Sequence, residues 1–165
     1  MTHPTQLTEA GEAVAQLLRQ NKQTVAVAES STGGLISASL LSIPGASEYF
    51  LGGSVVYTMQ SRKALLGVRR NDVEGLEPLT REMAAKFAEI ARLQMGTTWG
   101  LAELGAAGPT GTRYGHPPGI SVVAVDGPVK TSIMVETGSQ DREENMWVFT
   151  RRALALLAEA IESKP

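Results

Sequence analysis

The stretch Ala28-Glu29-Ser30-Ser31-Thr32-Gly33-Gly34 gathers hydroxyls and glycines where a nucleophile or an anion ligand would be useful. It follows an apolar run, Thr24 to Glu29, that reads as a buried strand, and it leads into a small-residue helix over Gly34 to Ser42. A strand-to-helix turn presents backbone N–H groups and the positive end of a helix dipole to an anion or a developing oxyanion. Ser30 and Ser31 stand where a nucleophile would stand, and Gly33 and Gly34 let a ligand come close to the backbone. The same residues have a plainer reading. Ser30 and Thr32 suit helix caps, the glycines suit close strand–helix packing, and Glu29 suits a structural carboxylate held by backbone N–H groups.

Other candidates lie further along the chain. Tyr57 ends a second β-branched run and is followed by Arg62 and Lys63. A serine is a weak nucleophile at neutral pH and needs a base beside it. A buried lysine can lose its proton, whereas an arginine keeps its own. Ala107, Gly108 and Pro109 open a glycine-rich loop after a strand, a setting that suits phosphate or ribose as well as an ordinary tight connection. Arg142 opens the last helix, where a basic residue opposes the dipole, so it reads as an anion ligand or as a surface ion pair. Lys63 reads as a solvated helix residue or as a base, Tyr57 as a half-buried core tyrosine or a site residue, and His116 as a solvated loop residue.

Composition narrows the class. At 165 residues and 42% hydrophobic content the chain is long and apolar enough for one domain with its own core. A net charge of −2 gives no reason to expect nucleic acid. The absence of cysteine removes disulfide and thiolate chemistry and fits a reducing, cytoplasmic setting. Only His3 and His116 are histidines, too few and too far apart for a zinc site, and no cofactor motif is present. No apolar stretch approaches the ~20 residues of a membrane span. Met1-Thr-His-Pro-Thr-Gln lacks the basic and apolar regions of a signal peptide.

The elements that must position these residues follow from periodicity. Helices are expected over Leu7–Asn21, Gly34–Ser42, Ser61–Leu66, Leu79–Met95 and Arg142–Glu162, with Thr80 as a cap and Gly96 as a stop. Strands are expected over Thr24–Glu29, Gly52–Thr58, Trp99–Ala106, Ile120–Val125 and Val129–Glu136, the last two joined by the two-residue hairpin signal Asp126-Gly127. Alternating helices and apolar strands imply a layered α/β domain, and the hairpin makes its sheet mixed.

In order and spacing, Ala28 to Gly34, Ile43-Pro44-Gly45-Ala46-Ser47, Phe50 to Tyr57, Leu65-Leu66-Gly67-Val68, Ala107-Gly108-Pro109, Pro118-Gly119 and Gly138 to Arg142 resemble the CinA C-terminal domain family. The resemblance runs from about Leu7 to Leu157 and treats residues 1–165 as a single domain of this kind. It implies a three-layer α/β/α sandwich with a mixed sheet. It also implies hydrolysis of nicotinamide mononucleotide (NMN) to nicotinic acid mononucleotide and ammonia in pyridine nucleotide recycling, by a serine/lysine hydrolase.

By motif Ser30 is then the nucleophile and Tyr57 its neighbour. Ser31, Thr32, Gly33, Gly34, Ala107, Gly108, Pro109 and Arg142 contact the substrate. The implied partners are a small nucleotide and further copies of the chain, as a homodimer or higher homo-oligomer, with no nucleic acid or membrane. Arg62 stands at the family's lysine position and Lys63 follows it. Ser31 replaces the family cysteine, Leu104 its threonine, and Met146 a second arginine. Arg62 cannot accept a proton from Ser30, so weak deamidation is expected unless Lys63 or Tyr57 supplies the base. The competing expectations are a non-catalytic nucleotide-binding module and, more weakly, an assembly domain with a vestigial pocket.

Overall fold

The computed structural model describes residues 5–163; His3 and the first four positions of the N-terminal stretch lie outside them. The chain runs α1 (Gln6–Asn21), β1 (Val25–Glu29), α2 (Leu35–Leu41), β2 (Phe50–Val55), α3 (Met59–Leu66), α4 (Arg81–Met95), β3 (Trp99–Ala106), β4 (Ile120–Asp126), β5 (Thr131–Glu136) and α5 (Arg142–Ser163). The sheet order is β2-β1-β3-β4-β5. β1 pairs in parallel with β2 and β3, while β3–β4 and β4–β5 are antiparallel. This is the mixed α/β architecture that the alternation of elements implies. Among the described residues no helix is long and apolar enough to cross a membrane.

Side-chain alternation along the central strands builds two cores. Val25, Val27, Leu101, Val123 and Val125 face one way and pack with Val14 and Leu18 of α1, Ile36 and Leu40 of α2, and Leu154 and Leu157 of α5. Ala26, Ala28, Ala102, Leu104, Val122 and Ala124 face the other way, against Met83, Ala84, Phe87, Ala88 and Ala91 of α4. The second face is alanine-rich because α4 lies very close to the sheet. A Cβ at Gly100 would fall 2.0 Å from the Ala88 carbonyl oxygen and 2.9 Å from Arg92 Cβ.

The boundaries that differ from expectation have local causes. β2 ends at Val55, and α3 begins at Met59 because Thr58 and Ser61 form a reciprocal cap. That cap satisfies two otherwise orphaned amides and starts the helix early. α4 begins at Arg81 because Leu79 has φ +53°, which is incompatible with a helical turn; Thr80 then caps by accepting from Met83 N. The hairpin between β4 and β5 is present, but its connection is longer than the two-residue turn expected at Asp126-Gly127. Asp126 stays in β4, and residues 127–130 make the crossing. Pro128 has no N–H to donate to a ladder, and Asp126, buried, is held by Arg92 at 2.5 Å and Lys130 at 3.2 Å.

At one edge of the sheet the C-terminal ends of β1, β2, β3 and β5 converge with the N-terminal end of β4. The residues that follow those ends are Ser30, Tyr57, the 107–119 loop and the approach to Arg142. Open α/β sheets bind ligands at such an edge. Gly100→Ala should lower unfolding stability by about 1–3 kcal/mol, the usual range for overpacking a tight core. Urea denaturation monitored by circular dichroism reads this directly.

Candidate functional site

Glu29 is the last residue of β1, and its carboxylate turns to the start of α2. Its Oε1 accepts from Gly34 N at 2.8 Å and Ile36 N at 3.1 Å; its Oε2 accepts from Ser37 N at 2.9 Å and Ser37 Oγ at 2.7 Å. A helix N-terminus favours a negative group, and the chain supplies its own. Gly34 makes the entry to α2 with φ +103°, a conformation that suits glycine.

A second carboxyl group holds the other half of the turn. Glu103 stands in the middle of β3, wholly buried. Its Oε2 accepts from Ser30 N at 3.0 Å and Thr32 N at 3.1 Å, and its Oε1 accepts from Ser31 Oγ and, at 3.1 Å, from Ser121 Oγ. Gly105 leaves the room for this arrangement, since a Cβ there would lie 2.4 Å from Ser31 Oγ and 2.7 Å from Glu103 Oε1. Burial pushes the Glu103 carboxyl above the usual range, against the opposing pull of the Ser31 and Thr32 hydroxyls and the Ser30 and Thr32 amides.

These bonds change the expected role of the turn. The amides of Ser30, Thr32, Gly34, Ile36 and Ser37 go to carboxyl oxygens, and those of Gly33 and Leu35 go to Ser30 O and Thr32 O. The set of N–H groups expected to receive an anion around Ser31–Gly34 is therefore committed. Among the described residues only the Ser31 N–H of this turn has no acceptor. The side chains of Ser31 and Thr32 point to the buried carboxyls, Gly33 lies against Met146, and Gly34 faces Val55.

Ser30 differs from its neighbours. Its Oγ has no hydrogen-bond partner among the described residues, and it lines a cavity of about 1030 Å³ on the α4 side of the sheet. Tyr57, Arg62 and Lys63 line the same cavity, with Arg69, Arg70 and Arg113 also on its wall. Among the described residues no aspartate or glutamate lines it, although Asp72 pairs with Arg69 at 3.4 Å. Its apolar part includes Val68, Leu76, Met83, Phe87 and Leu104. Cations above an apolar floor suit a flat ring carrying phosphate.

Arg62 is fixed in place. Its Nε donates to Val56 O at 3.3 Å, and its guanidinium lies 5.2 Å from the centre of the Phe87 ring. Burial lowers its pKa from the ordinary arginine value, with Tyr114 opposing, but a guanidinium remains a donor and not a base. Lys63, one residue on, is exposed and has no ion-pair partner among the described residues.

Arg142 explains its place at a helix start. It donates through Nη1 to Gly108 O at 2.5 Å and through Nη2 to Tyr57 Oη at 3.2 Å, so it ties the 107–119 loop to the end of β2. Asp141 Oδ1 accepts from Glu144 N at 2.9 Å and supplies the cap that Arg142 does not. Ala107, Gly108 and Pro109 do not line the cavity, and Ala107 is buried with Val135 and Phe149; Thr112, Arg113 and Tyr114 of the same loop line it. His116 is spent on the loop itself, its Nδ1 2.9 Å from Thr112 Oγ1.

Two residues that matter here escaped the sequence reading. Glu103 had a signal, an acidic residue at the centre of the apolar strand Trp99–Ala106. Such a residue must be paired or hydrogen-bonded when buried. Asn145, buried on α5, donates to Ala107 O at 2.8 Å and Ser139 O at 3.0 Å and so anchors two site loops. Nothing in its sequence context distinguishes it. Among the described residues no three His, Cys, Asp or Glu side chains group as metal ligands.

Comparison with known proteins agrees with this architecture. Residues 7–161 match the family model for the CinA C-terminal domain. A CinA-like protein from Sulfurihydrogenibium sp. is 34% identical over 149 residues, covering 90% of this chain and 37% of that protein. The chain thus spans only about a third of the length of the curated relatives it matches. Among solved structures, the competence/damage inducible protein CihA from Agrobacterium tumefaciens superposes with a TM-score of 0.85 at 26% identity, covering 99% of each chain. A CinA superfamily protein from Klebsiella pneumoniae gives 0.86 at 22% identity, covering 94% of this chain and 98% of the other. With sequence and fold in accord over nearly its whole length, the chain belongs to the CinA C-terminal domain family.

Proposed function

We propose that the cavity above Ser30 binds a phosphorylated nucleotide, with NMN as its reference ligand, and that Ser30 is the nucleophile of an amide hydrolysis that Arg62 leaves without its usual base. The supporting observation is the uncommitted Ser30 Oγ at the wall of a cavity lined by lysine and arginine and by no carboxylate. Arg62 and its cationic neighbours bind phosphate, and the apolar floor around Leu104 takes the pyridine ring. Arg142 positions Tyr57 and the Gly108 carbonyl at the rim.

In this reading Ser30 Oγ bonds to the carboxamide carbon and its proton passes to a base. The carbon–nitrogen bond then breaks, and ammonia leaves with that proton. Water hydrolyses the resulting ester and restores the serine. The Ser31 N–H is the one turn amide free to meet the oxyanion. A single remaining donor implies a smaller electrostatic contribution than a pair would give.

One observation favours a second reading, a nucleotide-binding module without turnover. Arg62 is pinned by Val56 O and Phe87, stands at the sequence position of the family lysine, and cannot accept a proton. In either case we place the protein in cytoplasmic nucleotide metabolism and expect a homodimer or higher homo-oligomer. The exposed Leu51 and Val55 of edge strand β2 are compatible with self-association.

Ammonia release from NMN should be slow in the wild type and rise in Arg62→Lys, since general-base assistance is worth typically ~10²–10⁴-fold. Ser30→Ala should abolish it. If Lys63 serves as base, the wild type turns over readily and Lys63→Ala is inactive; ready turnover that survives Lys63→Ala contradicts both versions. Binding is checked separately. NMN should raise the melting temperature of wild type and Ser30→Ala alike, as ligand linkage requires, and added salt should diminish the shift because the recognition is ionic.

A further inference from the structure

The Thr32 hydroxyl lies between two carboxyl groups, 2.8 Å from Glu29 Oε1 and 2.9 Å from Glu103 Oε2. A hydroxyl has one hydrogen to give. Were both glutamates ionised, both would be acceptors only, and one of these contacts would set lone pair against lone pair. One added proton removes that conflict: Glu103 Oε2–H donates to Thr32 Oγ1, and Thr32 Oγ1–H donates to Glu29 Oε1.

The surroundings decide which carboxyl holds that proton. Glu29 sits at the N-terminus of α2 and accepts from three amides and the Ser37 hydroxyl, all of which favour negative charge there. Glu103 is fully buried on the central strand. From β1 it faces Glu29; the turn and β4 offer it only amides and the hydroxyls of Ser31, Thr32 and Ser121. Neither α2 nor α5 brings a lysine, arginine or histidine into contact with it, and burial is the largest influence on its titration. Two carboxylates in one such site do not both ionise.

We propose that Glu103 is a positioning residue that holds the Ser30 turn in its carboxylic-acid form, sharing one proton with Glu29 through the Thr32 hydroxyl. Its positioning role toward a reaction rests on the reading of Ser30 as nucleophile. The proton itself does not. The folded chain keeps this proton at a pH where the unfolded chain has released it. Stability therefore falls as pH rises from the ordinary carboxyl range to the point where Glu103 ionises, and is level beyond it. Ionisation leaves the Thr32 hydroxyl with one hydrogen for two anions, so one of its two contacts breaks and the turn shifts there.

The test is carbon-13 NMR of the full chain labelled at glutamate carboxyl carbons, titrated from acid to alkaline pH. One glutamate should still be protonated at neutral pH, and its signal should be absent in Glu103→Gln. If every glutamate titrates in the ordinary range, or the protonated signal persists in Glu103→Gln, the proposal is overturned. In parallel, the rate at which a fluorophosphonate labels Ser30 is followed by mass spectrometry. It should fall through the pH at which the NMR signal titrates, and fall on the order of 10²-fold in Glu103→Ala, as for a misplaced reacting group. Glu103→Gln, which cannot ionise, should label without the pH step, and it serves alone if Glu103→Ala does not fold. A labelling rate indifferent to both pH and substitution overturns the positioning role. A wild type that takes no label at any pH defeats the nucleophile reading, and the positioning role with it, while the carboxyl titration still decides the proton.

Discussion

Two buried glutamates fix the geometry on which this domain depends. A strand that ends in a helix N-terminus leaves several amides pointing at nothing, and burying them unpaired would cost roughly 1–3 kcal/mol apiece. Glu29 and Glu103 absorb five of them, those of Ser30, Thr32, Gly34, Ile36 and Ser37. The turn is thereby held from below, against β3 and β4, and its upper side is left with the Ser30 hydroxyl, which has no partner among the described residues. A ligand does not have to organise the turn, because the chain already has.

That internal solution redirects where an external anion can bind. Helix α2 presents its dipole to its own Glu29, so the positive charge around the cavity comes from side chains: Arg62, Lys63, Arg70, Arg113 and Arg69, the last paired with Asp72 at 3.4 Å. In the proposed reading an anion is met by residues of α3, of the segment after it and of the 107–119 loop, and not by backbone at the helix end. Arg142 and Asn145 act at a distance from the cavity. The first joins Tyr57 to the Gly108 carbonyl, and the second holds Ala107 and Ser139, so that α5 locks two loops to the sheet edge.

Much of this was legible in the sequence. The strand Trp99–Ala106 was read to the residue because its apolar run is bounded by turn residues on both sides. The helices were found by period, and the mixed sheet by the glycine after Asp126. The errors lie where one side chain redirects the backbone: Thr58 and Ser61 start α3 early, Leu79 delays α4, and Pro128 lengthens the hairpin. At the site, Ser30, Tyr57, Arg62 and Lys63 line one cavity, while Gly108 and Pro109 do not. The supporting side of the turn was harder to see. Ser31 and Thr32 look like ligands in sequence, and only the position of Glu103, about 70 residues away on a neighbouring strand, shows that they are held inward. Local patterns do not report such long-range pairings, although an acidic residue in an apolar strand hints at one.

Amide hydrogen exchange followed by NMR tests the central claim most directly, because the amides of Ser30 and Thr32 have carboxyl acceptors and no backbone ones. The account predicts that both exchange as slowly as the core amides of β1 and β3, that the Ser31 amide exchanges faster, and that Glu103→Ala releases Ser30 and Thr32 while Gly34, Ile36 and Ser37, held by Glu29, stay protected. Rapid exchange of Ser30 and Thr32 in the wild type, or protection that is indifferent to the loss of Glu103, would contradict it.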